Sequence, residues 1–255
     1  RPSKSQKLAE IHEEALHKFN KIQTASYQIR REARDDRRFY SLAGAQWEGQ
    51  LNNHYENRPR LEVNKVHLSV MRIINEYRNN RISVNFISRD GDDNDELVDT
   101  CASLYRATEQ DSVADEAYDN AFEEAVGGGF GAFRLRTEYE DQYDEDNEYQ
   151  CIKIEPIFDA DSTVFFDLNA KRQDKADAER CYVLTAMTRE SYQEAWKDDP
   201  ATWPQQINTN VFDWVTADVV YVAEVYCVEE VNETIHIYQN LDGTEEKYKD
   251  SDFEK

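Results

Sequence analysis

Closely spaced glycines near the middle of the chain match, as text, a loop that binds dinucleotides. Gly127-x-Gly129-x-x-Ala132 has the spacing in which backbone N–H groups hold a pyrophosphate. That loop must follow a strand and open a helix, because the phosphate then meets the positive end of the helix dipole. Here a helical pattern over residues 113–126 precedes the glycines, and a strand pattern over residues 133–139 follows them. We therefore predict a packing turn at the end of a helix, where the dipole disfavours anions.

Carboxylate side chains are the next candidates for a functional site, because Asp and Glu bind divalent cations. The acidic stretch at residues 90–96 resembles the start of an EF-hand loop, but Asp95 replaces its glycine and Cys101 its final glutamate. We predict a turn that enters a helix. A second set could hold a cation, although turns beside strands explain it more simply. This set is Asp159, Asp161 and Asp167.

Two further acidic patterns are explained without a metal site, one as a solvent-exposed segment and one as a chance match. Residues 138–148 hold seven acids and no Lys or Arg, which is typical of a solvated hairpin tip. Glu245-x-Lys247 matches the end of a nuclease metal motif, but no acid on an upstream strand completes that motif.

Histidines and cysteines suggest no site. His12 and His17 lie five residues apart, so they project about 140° apart on a helix and cannot share a metal ion. A nucleophile elbow, a Walker lysine and an HExxH helix are missing. The cysteines lie far apart in apolar segments, which predicts buried free thiols and a reducing compartment. They are Cys101, Cys151, Cys181 and Cys227.

Charge is the strongest bulk property. The 255 residues include 30 basic and 53 acidic side chains, for a net charge of −23. Residues 1–38 are net +4, so the remainder carries −27 and opposes general phosphate binding. Five arginines could form a nucleic-acid patch, but the interleaved Glu32, Asp35 and Asp36 favour a solvated face of Asp/Arg pairs. These arginines are Arg30, Arg31, Arg34, Arg37 and Arg38.

Helices come first along the chain and strands later. An apolar stripe predicts a long helix over residues 4–36, with Leu8, Ile11, Ala15, Phe19, Ile22 and Ile29 on one face. Three helix N-caps are predicted. Asn64 caps a helix whose core face is Val66, Val70, Ile73, Ile74 and Tyr77. Ser112 forms a capping box with Asp115, and Thr188 caps a short helix that runs to Trp196. A helix with Leu97, Val98, Cys101, Leu104 and Tyr105 is also predicted.

The strand predictions complete the expected fold. An inward-facing strand is expected at Ile82, Val84 and Phe86. Later strands are expected at residues 149–157, 163–167 and 180–187, then a hairpin of 219–228 with 234–238 and a turn at Asp242-Gly243. The order indicates the α+β class with mainly antiparallel strands. We predict three parts: a basic helix at 1–38, an α+β core at 39–197, and a loop with a β-hairpin at 198–255.

Several phrases, in their order and spacing, resemble the portal proteins, or head-to-tail connectors, of short-tailed bacteriophages. The similarity spans about residues 39–196. One departure is Asp167-Leu168, where the family commonly has Asp-Pro, and it alters a turn only. The phrases are residues 57–66, 78–82, 112–123, 128–134, 154–157, 166–167 and 174–177.

This resemblance implies a structural role. It implies that the chain is an N-terminal fragment that contains most of a portal wing region. The whole subunit would be made in the bacterial cytoplasm and would form a dodecameric ring at one capsid vertex of the virion. DNA would pass through the channel without sequence specificity, and the partners would be terminase large subunit, capsid protein and tail or head-completion proteins, with no membrane. It implies no enzyme activity. We assign no catalytic, cofactor-binding or metal-binding residue and no cofactor.

Two other functions compete with this interpretation. The acidic clusters could serve a metal-dependent phage nuclease, or an acidic face could recruit basic protein partners. Cleavage of plasmid DNA with Mg²⁺ or Mn²⁺ would favour the nuclease. A chain that stays monomeric under assembly conditions would favour the binding module.

Overall fold

The computed structural model describes residues 4–88, 95–141, 148–197, 211–239 and 245–249. The helices are α1 (Lys4–Ser41), α2 (Gln50–His54), α3 (Lys65–Asn79), α4 (Asp95–Ser112), α5 (Ala114–Gly128), α6 (Ala160–Thr163) and α7 (Arg189–Trp196), with a 3-10 turn at Ala45–Trp47. The strands are β1 (Phe133–Tyr139), β2 (Gln150–Pro156), β3 (Val164–Phe166), β4 (Arg180–Thr188), β5 (Val219–Cys227), β6 (Ile235–Gln239) and β7 (Glu245–Lys249). The α+β class is confirmed, and the predicted division at residues 38 and 197 stays a prediction.

Helix α1 organises the main core. The predicted helix is confirmed, and it continues five residues beyond the predicted end, to Ser41. Its middle packs on β3, β4 and β5, where the Phe19 ring lies 5.0 Å from Phe165 and 5.5 Å from Tyr182. The predicted apolar stripe is only partly buried: Phe19 and Ile22 are in the core, whereas Leu8, Ile11 and Ile29 are exposed. The sheet covers only the middle of this long helix.

The strands form three antiparallel sheets, ordered β1–β2, β3–β4–β5 and β6–β7. Strand β4 pairs with β5 over nine residues, from Arg180↔Cys227 to Thr188↔Val219. The predicted hairpin of β5 with β6 is therefore wrong, and β6 pairs with β7 instead. Asn232-Glu233 lacks the glycine that favours a tight two-residue turn. The predicted turn at Asp242-Gly243 and the predicted loop at 198–210 lie outside the described residues.

Helix α5 and the hairpin β1–β2 form a second layer. The predicted helix–glycine–strand order is confirmed, because Gly129 ends α5 with φ 81° and β1 follows. The predicted capping box is wrong. Ser112 is the last residue of α4, and Val113, with φ 51°, precedes α5 without a side-chain cap. Strand β1 pairs with β2 from Phe133↔Pro156 to Tyr139↔Gln150, so the acidic segment joins a hairpin, although residues 142–147 lie outside the described residues.

Helix α3 begins where the sequence predicts, because the Asn64 side chain accepts a hydrogen bond from the backbone N–H of His67 at 2.8 Å. Its predicted core face is confirmed in part. Ile74 is buried and Val70 and Tyr77 are partly buried, whereas Val66 and Ile73 are half exposed. The strand expected at residues 82–86 is wrong. Residues 81–88 are exposed and pair with none of the strands that the structure describes.

The remaining local predictions have mixed outcomes. Thr188 caps α7, since its hydroxyl accepts from the backbone N–H of Ser191 at 3.2 Å. The cysteines are free thiols as predicted, but Cys101 and Cys227 are exposed rather than buried. Their apolar neighbours in sequence face solvent as well. In the part of the chain that the structure describes, no helix has the length and apolar character needed to span a bilayer.

Candidate functional site

The basic end of α1 meets three carboxylates that are distant in sequence. Nη1 of Arg37 lies 3.0 Å from Oδ1 of Asp161, and its Nη2 lies 3.0 Å from Oδ1 of Asp159. Nη2 also lies 3.8 Å from Oε1 of Glu124 on α5. Asp161 and Glu124 are almost completely buried, so each needs a compensating partner. We call these four residues the Arg37 cluster. It joins α1, α5 and α6.

Glu124 is the member of the cluster that sequence reasoning missed. Its carboxylate accepts hydrogen bonds from the backbone N–H groups of Asp159 at 2.7 Å and Ala160 at 2.9 Å. Burial raises the pKa of Glu124, although these bonds and Arg37 act in the opposite direction. A signal was present in the sequence: Glu124 follows Ala117 by seven residues, so a carboxylate stands on the apolar face of α5. A charge in that position requires a partner.

Arg30 lies two turns before Arg37 on the same face of α1, and its side chain also packs within the protein. Its guanidinium carbon lies 3.8 Å above the centre of the Phe165 ring. It donates hydrogen bonds to the backbone carbonyls of Asp161 and Val164. Burial lowers the pKa of Arg30 to about 10. These contacts fix α1 to the short α6–β3 segment.

The five candidate arginines therefore do not form one free basic patch. Arg31 lies 3.9 Å from Asp35, which fits the predicted Asp/Arg pairs on the helix face, whereas Arg38 lies 2.7 Å from Glu48, beyond the end of α1. Arg30 and Arg37 differ from that prediction, because their partners are buried groups far along the chain. The interleaved acids correctly indicated pairing. They did not indicate which arginines would hold the fold together.

The candidate cation ligands are engaged by protein groups. Asp159 and Asp161 pair with Arg37, so a guanidinium lies where a metal ion was considered. Asp167 accepts a hydrogen bond from the backbone N–H of Asn169 at 3.1 Å and forms a turn. Among the described residues, no group of three or more His, Cys, Asp or Glu side chains is placed to hold a metal ion.

The glycine segment is filled by packing. A Cβ on Gly127 would lie 2.4 Å from Oη of Tyr40, and one on Gly131 would lie 1.8 Å from the carbonyl oxygen of Ala121. The space beside these glycines is thus occupied by α1 and α5 themselves. The predicted packing turn is confirmed, and the segment closes α5 rather than opening a phosphate-binding helix.

The other residues considered as site candidates are not brought together into a site in the described part of the chain. His12 lines a cavity of about 360 Å³ between α1 and the aromatic side chains of β4, β5 and α7, and His17 lies on another face of α1. Glu245 and Lys247 lie on β7, opposite Gln239 and Ile237 of β6. Asp95 begins α4, as the predicted entry into a helix requires, while residues 90–94 lie outside the described residues.

The fold and the Arg37 cluster define a structural scaffold in which charged side chains join elements. The family model for "Phage P22-like portal protein" matches residues 16–255. A curated relative, "Portal protein" of Acyrthosiphon pisum secondary endosymbiont phage 1, is 36% identical over 252 residues, which cover 96% of this chain and 35% of that protein. The chain therefore belongs to the P22-like portal protein family. It spans about a third of the curated relative's length.

Proposed function

We propose that this chain is part of the structural subunit of a phage portal vertex. The observation that carries the proposal is the family match over residues 16–255, which extends well beyond the region of sequence resemblance. In this role the subunit contributes to a dodecameric ring at one capsid vertex of the virion. DNA is packaged and ejected through that ring, terminase and tail proteins attach to it, and capsid protein surrounds it. The subunit performs no catalysis.

The electrostatics of the chain support the role of a conduit. A net charge of −23 repels a DNA phosphate backbone at long range and gives little non-specific affinity. Two of the five candidate arginines, Arg30 and Arg37, are held in internal contacts. DNA that must slide through a channel needs walls to which it does not adhere. The acidic surface and the internal pairing of these arginines meet that requirement.

Assembly of the full-length portal protein tests the proposal most directly. We expect native mass measurement and negative-stain images to show a closed ring of many copies, because identical subunits with heterologous contacts close into rings. Monomers at all assembly concentrations would contradict the ring and favour the acidic binding module.

DNA assays separate the conduit from an enzyme. We expect the assembled ring to bind duplex DNA weakly and with a shallow dependence on salt. Incubation with plasmid and Mg²⁺ or Mn²⁺ should leave the plasmid intact. Cleavage that is lost on replacing Asp167 would instead support the nuclease, and an Asp174→Asn variant serves as the matched control.

A further inference from the structure

One part of the chain is folded yet contributes almost nothing to the core. We call residues 42–88 and 95–113, which include α2, α3 and α4, the α3–α4 arm. Among its described residues, Ile74 is the one buried apolar side chain. Many large apolar side chains of the arm are exposed. They are Leu42, Leu51, Leu61, Val63, Val66, Leu68, Ile73, Ile82, Val84, Phe86, Ile87, Leu97, Leu104 and Val113.

Helix α3 carries an apolar stripe on a basic background. Val66, Val70, Ile73 and Tyr77 follow the i, i+4, i+7, i+11 spacing of a helix that packs on another helix. Val66 and Ile73, seven residues apart, are about half exposed. Helix α3 itself, residues 65–79, contains three Lys or Arg and one Glu, a net charge of +2 in a strongly acidic chain.

Helix α4 carries a matching stripe on an acidic background. Leu97, Cys101 and Leu104 have the i, i+4, i+7 spacing, and all three are exposed, Leu104 by 69%. Residues 95–112 contain five Asp or Glu and one Arg, a net charge of −4. The net charges of the two helices are therefore opposite in sign, while each stripe is apolar.

Each helix is also held within the chain, α3 through the C-terminal end of its stripe. Tyr77 of α3 stacks on Phe122 of α5 with ring centres 4.0 Å apart, and Arg78 lies 3.1 Å from Glu123. Helix α4 packs against β2 and the start of α5, where the Tyr118 hydroxyl donates to Glu109 at 3.2 Å. The helices are thus held on α5 and β2 with their Val66–Ile73 and Leu97–Leu104 stripes left exposed.

We propose that the α3 stripe of one copy packs on the α4 stripe of a second copy of this chain. Two different, complementary surfaces on one subunit are what a heterologous contact requires, and such contacts close into rings. Opposite net charges favour the α3–α4 pairing over α3–α3 or α4–α4 pairing, in which like charges would meet. The inference rests on the proposed portal function and assigns its subunit contact to particular residues.

Disulfide trapping in the assembled full-length ring tests this contact. Cys101 supplies a native thiol on the α4 stripe, and Cys227 is replaced by Ser because it is the other exposed cysteine. Val66→Cys and Ile73→Cys, made singly, place the second thiol on the α3 stripe one heptad apart and so cover two registers. Asn75→Cys is the matched control, since it is exposed on the same helix but points away from the stripe.

We expect mild oxidation to convert most subunits of at least one stripe variant into covalent dimers and higher species on non-reducing gels. Asn75→Cys should give less than about a tenth of that yield, because a disulfide needs Cα atoms within about 7 Å. Adding Cys101→Ser should abolish the cross-link. Rings that form normally but stay uncross-linked at both positions overturn this contact and leave the portal function intact. Failure of the unmodified protein to form rings overturns both.

Because α3 is basic, a second experiment tests the alternative that it contacts DNA instead of a neighbouring copy. If Lys65→Ala and Arg72→Ala leave ring yield unchanged but weaken binding of duplex DNA at least tenfold, α3 faces DNA rather than a neighbouring copy. We expect the opposite: DNA binding unchanged and ring yield reduced severalfold, because loss of positive charge weakens attraction to the acidic α4.

Discussion

The two regions of this molecule treat apolar side chains in opposite ways. Between α1 and the sheet β3–β4–β5, Phe19 packs against Phe165, Tyr182, Phe212 and Trp214, with every ring centre within 5.5 Å. In the α3–α4 arm, side chains of similar character lie exposed around a single buried Ile74. The first region satisfies its apolar surface within one chain. The second leaves it exposed, and we propose that a neighbouring copy covers it.

The largest expected effect is the loss of the Phe19 ring. We expect Phe19→Ala to lower the free energy of unfolding by about 3–5 kcal/mol, because the ring is fully buried among four aromatic neighbours. Urea titration followed by tryptophan fluorescence and circular dichroism measures the change. Ile11→Ala is the matched control on the same helix, where exposure predicts a change within about 0.5 kcal/mol. Equal losses for both variants would contradict the assignment of the core to the middle of α1.

The next effect concerns the Arg37 cluster. We expect Asp161→Ala to cost about 2–3 kcal/mol, less than the full loss of a buried pair because Asp159 and Glu124 still face Arg37. The neighbouring Ser162 offers a control, since Ser162→Ala leaves the ion pairs of the cluster intact. A negligible loss in the Asp161 variant would mean that the cluster does not hold α1 to α6.

Glu124 adds a smaller effect, which depends on pH. Burial raises the pKa of Glu124 above its ordinary value of 4.5, so the folded state binds this proton more tightly than the unfolded state. The resulting stabilisation is complete below pH 4.5 and is lost as the pH rises through the folded pKa. The advantage of the native protein over Glu124→Gln should therefore shrink as the pH rises through that window.

Unfolding titrations at a series of pH values measure this difference. Glu116→Gln, on the exposed side of the same helix, serves as the control and should show no such change. A pH dependence identical in the native protein and in Glu124→Gln would show that another group is responsible.

The smallest effect on folding stability is expected for substitutions in the α3–α4 arm. Such a substitution should impair assembly while leaving folding stability nearly unchanged. Leu104→Asp should change the free energy of unfolding by about 0.5 kcal/mol or less, because the side chain is exposed. The same change places a charge in the α4 stripe and should reduce ring yield at least tenfold, as measured by native mass spectrometry. Leu168→Asp, also exposed but outside the arm, should leave assembly unchanged. A loss of assembly in both variants would remove the distinction between the arm and the rest of the surface.

Local signals in the sequence predicted much of the fold. The start of α3 at Asn64, the start of α7 at Thr188 and the end of α5 at Gly129 each depend on one residue and its neighbours within a turn. The helical stripe of α1 and the alternation of β1 depend on periodicity over a few residues. Such patterns need no knowledge of distant parts of the chain.

The errors lie where distant residues compete. The proximity of β5 and β6 in sequence favoured a hairpin, but β4 pairs with all of β5 across 30 intervening residues. Ser112 matches a capping box, yet α4 continues through it. Val66 and Ile73 have the spacing of a core face, yet burial requires a partner surface. The described part of the chain buries Ile74 but leaves Val66 and Ile73 half exposed. None of these outcomes is encoded within a single turn or strand.

The sequence by itself determined the class of fold, the order of the elements, the acidic character of the surface and the resemblance to portal proteins. Only the tertiary structure decided that Arg37 would meet Asp159, Asp161 and Glu124, and that the stripes of α3 and α4 would remain exposed. The physical reason is the range of the interactions. Helix caps and periodicity act between near neighbours, whereas burial and ion pairing depend on which surfaces the folded chain brings together.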